Sequence, residues 1–122
     1  MLAVRRKNPV DYRMCRQTVT VYHKDGEAYT RTVHKNAFLD FRKNQTVDKT
    51  GSKETNSFLL VIPGDTQMVY VGDKVLLGEG PEVTTREAWA QLIPSTTENL
   101  VVVKYVDPKY WGTQMVHVEA GG

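Results

Sequence analysis

Hydrophobic and polar positions alternate with a period of two along most of the chain. Gln17–His23 alternates β-branched and aromatic residues with polar ones, which is typical of a strand with one buried face. The Asp25-Gly26 pair that follows predicts a hairpin turn. Tyr29–Phe41 then predicts one long strand or a bent pair of strands, with Asn36 as the position of a bulge or break.

Further short strands are predicted in the rest of the chain. A tight turn at Gly72-Asp73 predicts a second hairpin between the strands on either side of it. Six or seven short strands separated by frequent turns predict an all-β fold, a small β-barrel of SH3-like or Greek-key type or a sandwich. The segments concerned are Phe58–Ile62, Met68–Val71, Lys74–Leu77, Leu100–Val106 and Thr113–Val118.

One segment departs from this period. Thr84-Thr85-Arg86-Glu87 has the form of a helix capping box, in which a threonine hydroxyl and the glutamate satisfy backbone N–H groups. Trp89, Leu92 and Ile93 share one face of a helix, and Pro94 ends it. The sequence therefore predicts one short α-helix of about ten residues against the barrel.

A polar segment separates two apolar strands. Lys43–Ser57 contains a single large apolar residue, Val47, so it cannot form a core of its own. Loops longer than about 12–15 residues are uncommon in compact domains and are usually functional or disordered. We expect a long inter-strand loop that projects as an arm and becomes ordered on a partner, or else an idle flexible hairpin.

The length of 122 residues predicts one domain. We expect an N-terminal arm over residues 1–15, a β-barrel core over 16–83 with the loop 43–57, and a helix with C-terminal strands over 84–122. No apolar segment reaches the roughly 18–20 residues that cross a bilayer, so no membrane partner is expected. The basic cluster near the N-terminus follows a very short apolar stretch, unlike the order of a secretory signal.

The charge is distributed unevenly along the chain. Residues 1–50 hold 11 Lys and Arg against 5 Asp and Glu, whereas residues 51–122 hold 5 against 9. If the fold keeps the two parts on different surfaces, copies of the chain could stack or form rings with opposite charges meeting. If strands from the two parts interleave, the field averages out.

Motifs for enzymatic chemistry are missing from the sequence. The sequence has one cysteine, Cys15, which excludes an intramolecular disulfide and a multi-thiolate zinc site. The nearby arginines Arg13 and Arg16 could lower the pKa of its thiol. The sequence contains neither a phosphate-binding loop nor a Gly-x-Ser-x-Gly elbow. We therefore predict no catalytic residue, metal or cofactor. The histidines, which lack metal-ligand spacing, are His23, His34 and His117.

Two adjacent aromatic residues, Tyr110 and Trp111, lie in a predicted turn over Asp107–Gly112. Neighbours in a sheet point to opposite faces, so one of the two is expected to cover the core and the other to face a partner. Packing of both under the helix is the alternative. Small β-barrels also bind single-stranded nucleic acid, but these aromatics lie in the acidic part of the chain and the net charge is only +2.

The order of these elements resembles a known family. A strand at Thr18–His23, a hairpin, a long strand ending near Phe41, a polar insertion and the strand Phe58–Ile62 lead through Pro63-Gly64-Asp65 to Gly78-Glu79-Gly80. Over residues 16–83 this order resembles the head–tail connector proteins of tailed bacteriophages. The resemblance is to the stopper, or head-completion, class, which is often described as minor capsid protein.

The resemblance implies a non-enzymatic virion protein of a phage or prophage, made in the host bacterial cytoplasm. Such proteins form a ring, here expected to have about six or twelve copies, between the portal and adaptor and the tail. The inter-strand loop points into the channel and helps to retain packaged double-stranded DNA. An adaptor or tail-terminator ring and a small β-barrel nucleic-acid-binding protein are the alternatives.

Carried onto this chain, the resemblance makes Lys43–Ser57 the channel loop, with Thr50-Gly51-Ser52 as its tip. Lys49 and Lys53 would contact DNA phosphates near that tip. The basic residues of the N-terminal arm would dock on an acidic neighbour in the connector. The residues expected at subunit or partner interfaces are Arg5, Arg6, Lys7, Tyr110 and Trp111.

Overall fold

The structure, a computed structural model, describes residues 10–48 and 51–122, with side chains for 10–41 and 57–122. Seven strands and one short helix make up this part of the chain, which confirms the predicted all-β fold with a single helix. In chain order they are β1 (Gln17–Asp25), β2 (Ala28–Asp48), β3 (Gly51–Pro63), β4 (Lys74–Leu77), α1 (Arg86–Gln91), β5 (Leu100–Val102), β6 (Tyr105–Trp111) and β7 (Gln114–Gly121).

The strands form one antiparallel sheet that curls into a half-barrel, in the order β5-β4-β1-β2-β3-β7-β6. The two strands from the basic part of the chain therefore lie near the centre, and strands from the acidic part flank them on both sides. Of the two expectations for charge, this topology supports interleaving. Strands β5 and β6 are the two edges of the sheet.

The long strand β2 serves both halves of the sheet. It pairs with β1 up to Ala37 and with β3 from Phe38 onward. Near Asn36, three residue steps of β2 oppose two of β1, which is the β-bulge that the sequence predicts. A bulge increases the local twist, and it lies where β2 changes partner.

The predicted hairpin around Gly72 is wrong, although the turn is correct. Met68–Val71 is not a strand, and β4 pairs instead with β1 and β5. The Asp73 amide donates to the Tyr70 carbonyl (3.0 Å), while the Asp73 carboxylate accepts from the Tyr70 amide (2.9 Å). Side-chain and turn bonds thus replace the expected ladder.

The last predicted strands also differ from the structure. The single strand expected over Leu100–Val106 is divided between β5, which pairs with β4, and β6, which pairs with β7. The change comes after Val103, whose amide still donates to the Asp73 carbonyl (2.9 Å), whereas the Lys104 amide donates to the Gly121 carbonyl (2.8 Å). The expected turn over Asp107–Gly112 is mostly strand, and the turn comes at Gly112, whose φ is +64°. Pro108 is accommodated because β6 is an edge strand.

Helix α1 has six residues, fewer than the ten or so predicted. Its N-cap is Thr85, whose hydroxyl accepts from the Ala88 amide (3.1 Å). Leu92 is buried beneath the helix, whereas Ile93 is exposed, so the predicted apolar face is only partly used. The helix is neither long nor apolar enough to cross a membrane.

Two clusters of apolar side chains hold the fold together. The larger lies on the inner face of the sheet and includes Val19, Leu60 and Val118, all fully buried. The smaller lies between the sheet and α1 and includes Tyr22 and Leu92. Because neighbouring residues of β1 point to opposite faces, this strand contributes to both clusters.

Candidate functional site: the arm and the two ends of the sheet

The long inter-strand loop expected over Lys43–Ser57 is a two-stranded hairpin in the structure. Strand β2 continues to Asp48, β3 begins at Gly51, and the two pair continuously between these ends. A regular ladder satisfies N–H and C=O groups without an apolar core. This explains why a segment with so little apolar surface can extend as paired strands. We call residues 42–48 and 51–56 the arm.

The predicted tip residues lie at the end of the arm. Gly51 pairs with Asp48 and Ser52 pairs with Val47, so both belong to the ladder. Lys49 and Thr50 lie outside the described residues, as does the side chain of Lys53. The expected contact of these lysines with DNA remains a prediction.

The arm extends beyond the rest of the sheet. Pairing of β1 with β2 stops at Ala37, and pairing of β7 with β3 reaches only Leu59. Between residues 42 and 56, the ladder partners of the arm within the described chain are therefore its own two strands. Each outer edge presents backbone groups to the surroundings over about 20 Å, at roughly 3.4 Å per residue.

Tyr110 and Trp111 lie at the end of β6, where it turns into β7. Their exposed fractions are 59% and 40%, so neither covers the core and neither packs under α1, contrary to both expectations. A register shift after Lys109 places Tyr110 opposite Met115. Asp65 and Tyr110 both line a polar depression of about 530 Å³. We call Tyr110 and Trp111 the knob.

An apolar groove of about 470 Å³ opens at the root of the arm. Phe41 and Phe58 are opposite each other on β2 and β3, and Phe41 is 38% exposed although it is aromatic. Glu98 and Lys104 also border the opening. We call this feature the groove; its apolar wall and floor are formed by Phe41, Phe58, Leu100, Val101, Val102 and Gly122.

A polar network fixes the segment before β1 to the outer face of β7. The Tyr12 hydroxyl lies 2.8 Å from His117 Nδ1, and His117 Nε2 lies 3.2 Å from a Glu119 oxygen. On the neighbouring strand, Lys109 contacts Asp107 (2.6 Å) and Glu119 (3.9 Å). Since its charge is compensated twice, Lys109 is a poor phosphate ligand beside the knob.

The other histidines have separate environments. His23 Nδ1 contacts the buried Asp73 carboxylate (2.5 Å), the same carboxylate that accepts from the Tyr70 amide. His34 Nε2 is buried and has no hydrogen-bond partner among the residues that the structure describes, and burial lowers the pKa of His34. Over the described residues, no three His, Cys, Asp or Glu side chains form a cluster that could hold a metal ion.

Cys15 does not have the activated setting that its sequence neighbours suggest. Burial raises the pKa of its thiol, opposite to the direction expected from adjacent arginines. Arg13 forms an ion pair with Asp11 (2.7 Å) instead. The basic residues Arg5, Arg6 and Lys7 lie outside the described residues, so their docking role stays a prediction.

Comparison with protein families places the chain. Residues 14–122 match a family described as "Family of unknown function (DUF6751)". The chain belongs to this family. The DUF6751 region includes every strand, the helix, the arm and the knob, and it begins after the basic cluster Arg5-Arg6-Lys7. Searches of curated proteins and of solved structures find no match.

Sequence patterns identified the DUF6751 arm and knob but missed the groove. The aromatic Phe41 at the end of an apolar alternation was a local sequence signal for the groove, and the structure shows that this side chain is exposed. The groove joins β2 and β3 to β5 and Gly122, which are far apart in sequence. It depends on how the sheet curls, so no short motif could have predicted it.

Proposed function

We propose that this protein is a structural component of a tailed-phage or prophage virion. In this proposal it assembles with copies of itself as a ring at the head–tail junction, between portal or adaptor and tail. The proposal rests on the resemblance in element order and on one structural observation, the arm. A stopper role, in which arms in the channel help to retain DNA, is the specific form we favour.

The arm supports self-assembly because of its backbone. Its inner N–H and C=O groups are paired within the hairpin, while its outer edges have no ladder partner among the described residues. Edges of this kind add strands from another chain. Rotational symmetry would bring identical arms together around one axis, where each could pair with the next.

Nucleic-acid binding as the main function receives less support. The exposed aromatics of β6 could stack on bases, but Lys109 beside them is paired with Asp107 and Glu119. A single-strand binder needs free cations along its aromatic platform. Such a binder would also lose affinity steeply with rising salt, whereas strand pairing between arms would respond weakly.

Shortening the arm tests the proposal. Lys43 and Asn56 are opposite each other, so replacing residues 44–55 by Asn-Gly leaves a two-residue hairpin loop in register. We expect this variant to keep its circular dichroism spectrum and melting temperature within a few degrees. We also expect it to form rings less readily by negative-stain electron microscopy and to let DNA leak from filled heads.

A matched control keeps the arm length and changes only its tip charge, by Lys49→Gln and Lys53→Gln. If assembly depends on backbone pairing, this control forms rings like the unmodified protein. Unmodified protein that stays monomeric at all concentrations, together with heads that retain DNA without the arm, would overturn the proposed function.

A further inference from the structure

The knob and the groove lie at opposite ends of the same pair of strands. In the β6–β7 ladder, Trp111 pairs with Gln114 at one end and Tyr105 pairs with Gly121 at the other. Gly122, the next residue, lines the groove. Six residue steps along β6 separate the two ends by about 20 Å.

The knob and the groove have complementary shapes, because the knob protrudes and the groove is concave, and both surfaces are apolar. The knob presents two exposed aromatic side chains next to a tight turn, one on each face of the ladder, and Tyr110 is the one that lines the same depression as Asp65. The groove offers a concave apolar surface of about 470 Å³. Aromatic side chains that fill apolar pockets dominate the energetics of protein interfaces. The arm does not fit the groove, because its sequence is almost entirely polar.

The flanking charges are also complementary. Asp65 lines the same depression as Tyr110, and Lys104 borders the groove. Neither Asp65 nor Lys104 has an ion-pair partner within the described part of the chain, whereas Lys109 and Asp107 are already paired. Glu98 on the same border would add repulsion toward Asp65, so the expected contact runs along the Lys104 side.

We infer that Tyr110 of the knob of one copy inserts into the groove of the next copy, with Asp65 facing Lys104 of that neighbour. This inference rests on the self-assembly proposed above and names the surfaces that form the contact. Because the two surfaces differ, the contact is head-to-tail. A head-to-tail contact generates a closed ring when its rotation closes and a filament when it does not.

Complementation between two defective variants tests this arrangement. Tyr110→Ser with Trp111→Ser removes the knob and leaves the groove, whereas Phe41→Glu charges the groove and leaves the knob. Each variant alone should have a dissociation constant for self-association at least about tenfold higher, the loss typical of interface hot spots. Mixed one to one, the two variants should form dimers more readily than either variant does alone, because one intact knob–groove contact remains per pair.

Four further variants separate this contact from general effects. Val71→Ser removes a well-exposed apolar residue that lines neither the groove nor the depression at Tyr110, and it should leave assembly unchanged. Asp65→Lys and Lys104→Asp should each weaken assembly, and the two substitutions combined in one chain should restore it. Sedimentation velocity measures all of these, with circular dichroism confirming that each variant is folded.

The outcomes distinguish the two proposals. If the unmodified protein forms rings that the knob and groove variants also form, the knob–groove contact is wrong and the ring proposal stands. The same holds if the one-to-one mixture gives no dimers although both folded variants have lost self-association. If the unmodified protein never associates, both proposals fail.

Discussion

Individual side chains attach the segment before α1, and α1 itself, to the sheet. Arg31 donates from two guanidinium nitrogens to the Gly80 carbonyl (2.8 and 2.6 Å), and the Tyr22 hydroxyl donates to the Pro81 carbonyl (2.7 Å). Lys74 donates to the Trp89 carbonyl (2.7 Å) and lies 4.5 Å from the centre of the Trp89 ring. Burial, together with the nearby charge of Lys24, lowers the pKa of Lys74.

Within this attachment, Gly80 is the position with the least space for a larger side chain. A β-carbon there would overlap the Tyr22 hydroxyl and press on the Leu76 side chain. We expect Gly80→Ala to lower the free energy of unfolding by about 1–3 kcal/mol, as overpacking does. Urea denaturation measures the change, and Gly80→Ala should cost less in a Tyr22→Phe background than in the unmodified protein, because the nearest atom is removed.

The control for Gly80 is Gly64→Ala. At Gly64 the added carbon would meet only the flexible end of the Met68 side chain, which can move away. Its effect should be small. Equal losses at the two glycines would mean that the contact with Tyr22 is not what restricts position 80.

Among the elements, α1 depends on its cap because it has only six residues. Short helices are marginal without tertiary contacts and satisfied N–H groups. In α1, the Thr85 hydroxyl supplies one such bond, and Trp89 and Leu92 belong to the cluster beneath the helix. Loss of the cap should therefore affect the whole protein.

We expect Thr85→Ala to reduce stability by about 1 kcal/mol, the usual cost of losing a threonine N-cap. Thr84→Ala is the matched comparison, since Thr84 is exposed and lies outside the helix. Thermal and chemical denaturation of the two variants give the difference. A larger loss of stability in Thr84→Ala than in Thr85→Ala would contradict Thr85 as the N-cap and would support the capping box that the sequence predicted.

The sequence predicts elements well where local chemistry determines them. β1, the turn at Gly26 and the bulge near Asn36 were predicted because alternation and turn residues specify them directly. The division of β5 from β6 was not, since it depends on a change of ladder partner from β4 to β7, which are far apart in sequence. The groove was missed for the same reason, whereas the arm was located correctly but its regular pairing was not foreseen.

On the scale of the molecule, both apolar clusters share β1. Val19 and Val21 pack into the larger cluster and Tyr22 into the smaller one. Separating the two clusters would expose one face of this central strand. The described chain should therefore unfold as one cooperative unit, as expected for a single domain of this size.

The two tryptophans allow this to be measured. Trp89 reports on the cluster under α1, and Trp111 reports on the far end of β6. In Trp89→Phe and Trp111→Phe, the remaining tryptophan should give the same midpoint by fluorescence as far-ultraviolet circular dichroism does for that variant. Midpoints that differ between the two probes in either variant would divide the protein into independently unfolding parts.

The position of Pro108 determines how readily the β6 edge can pair with strands of other molecules. It lies in the middle of β6 and supplies no N–H group, while the opposite edge, β5, is only three residues long. Long regular edges are what amyloid-like stacking requires, and charged or proline-containing edges resist it. The two edges of the sheet are therefore poor templates for fibre growth. In the proposed assembly, the arm is the long edge at which strands of another copy add.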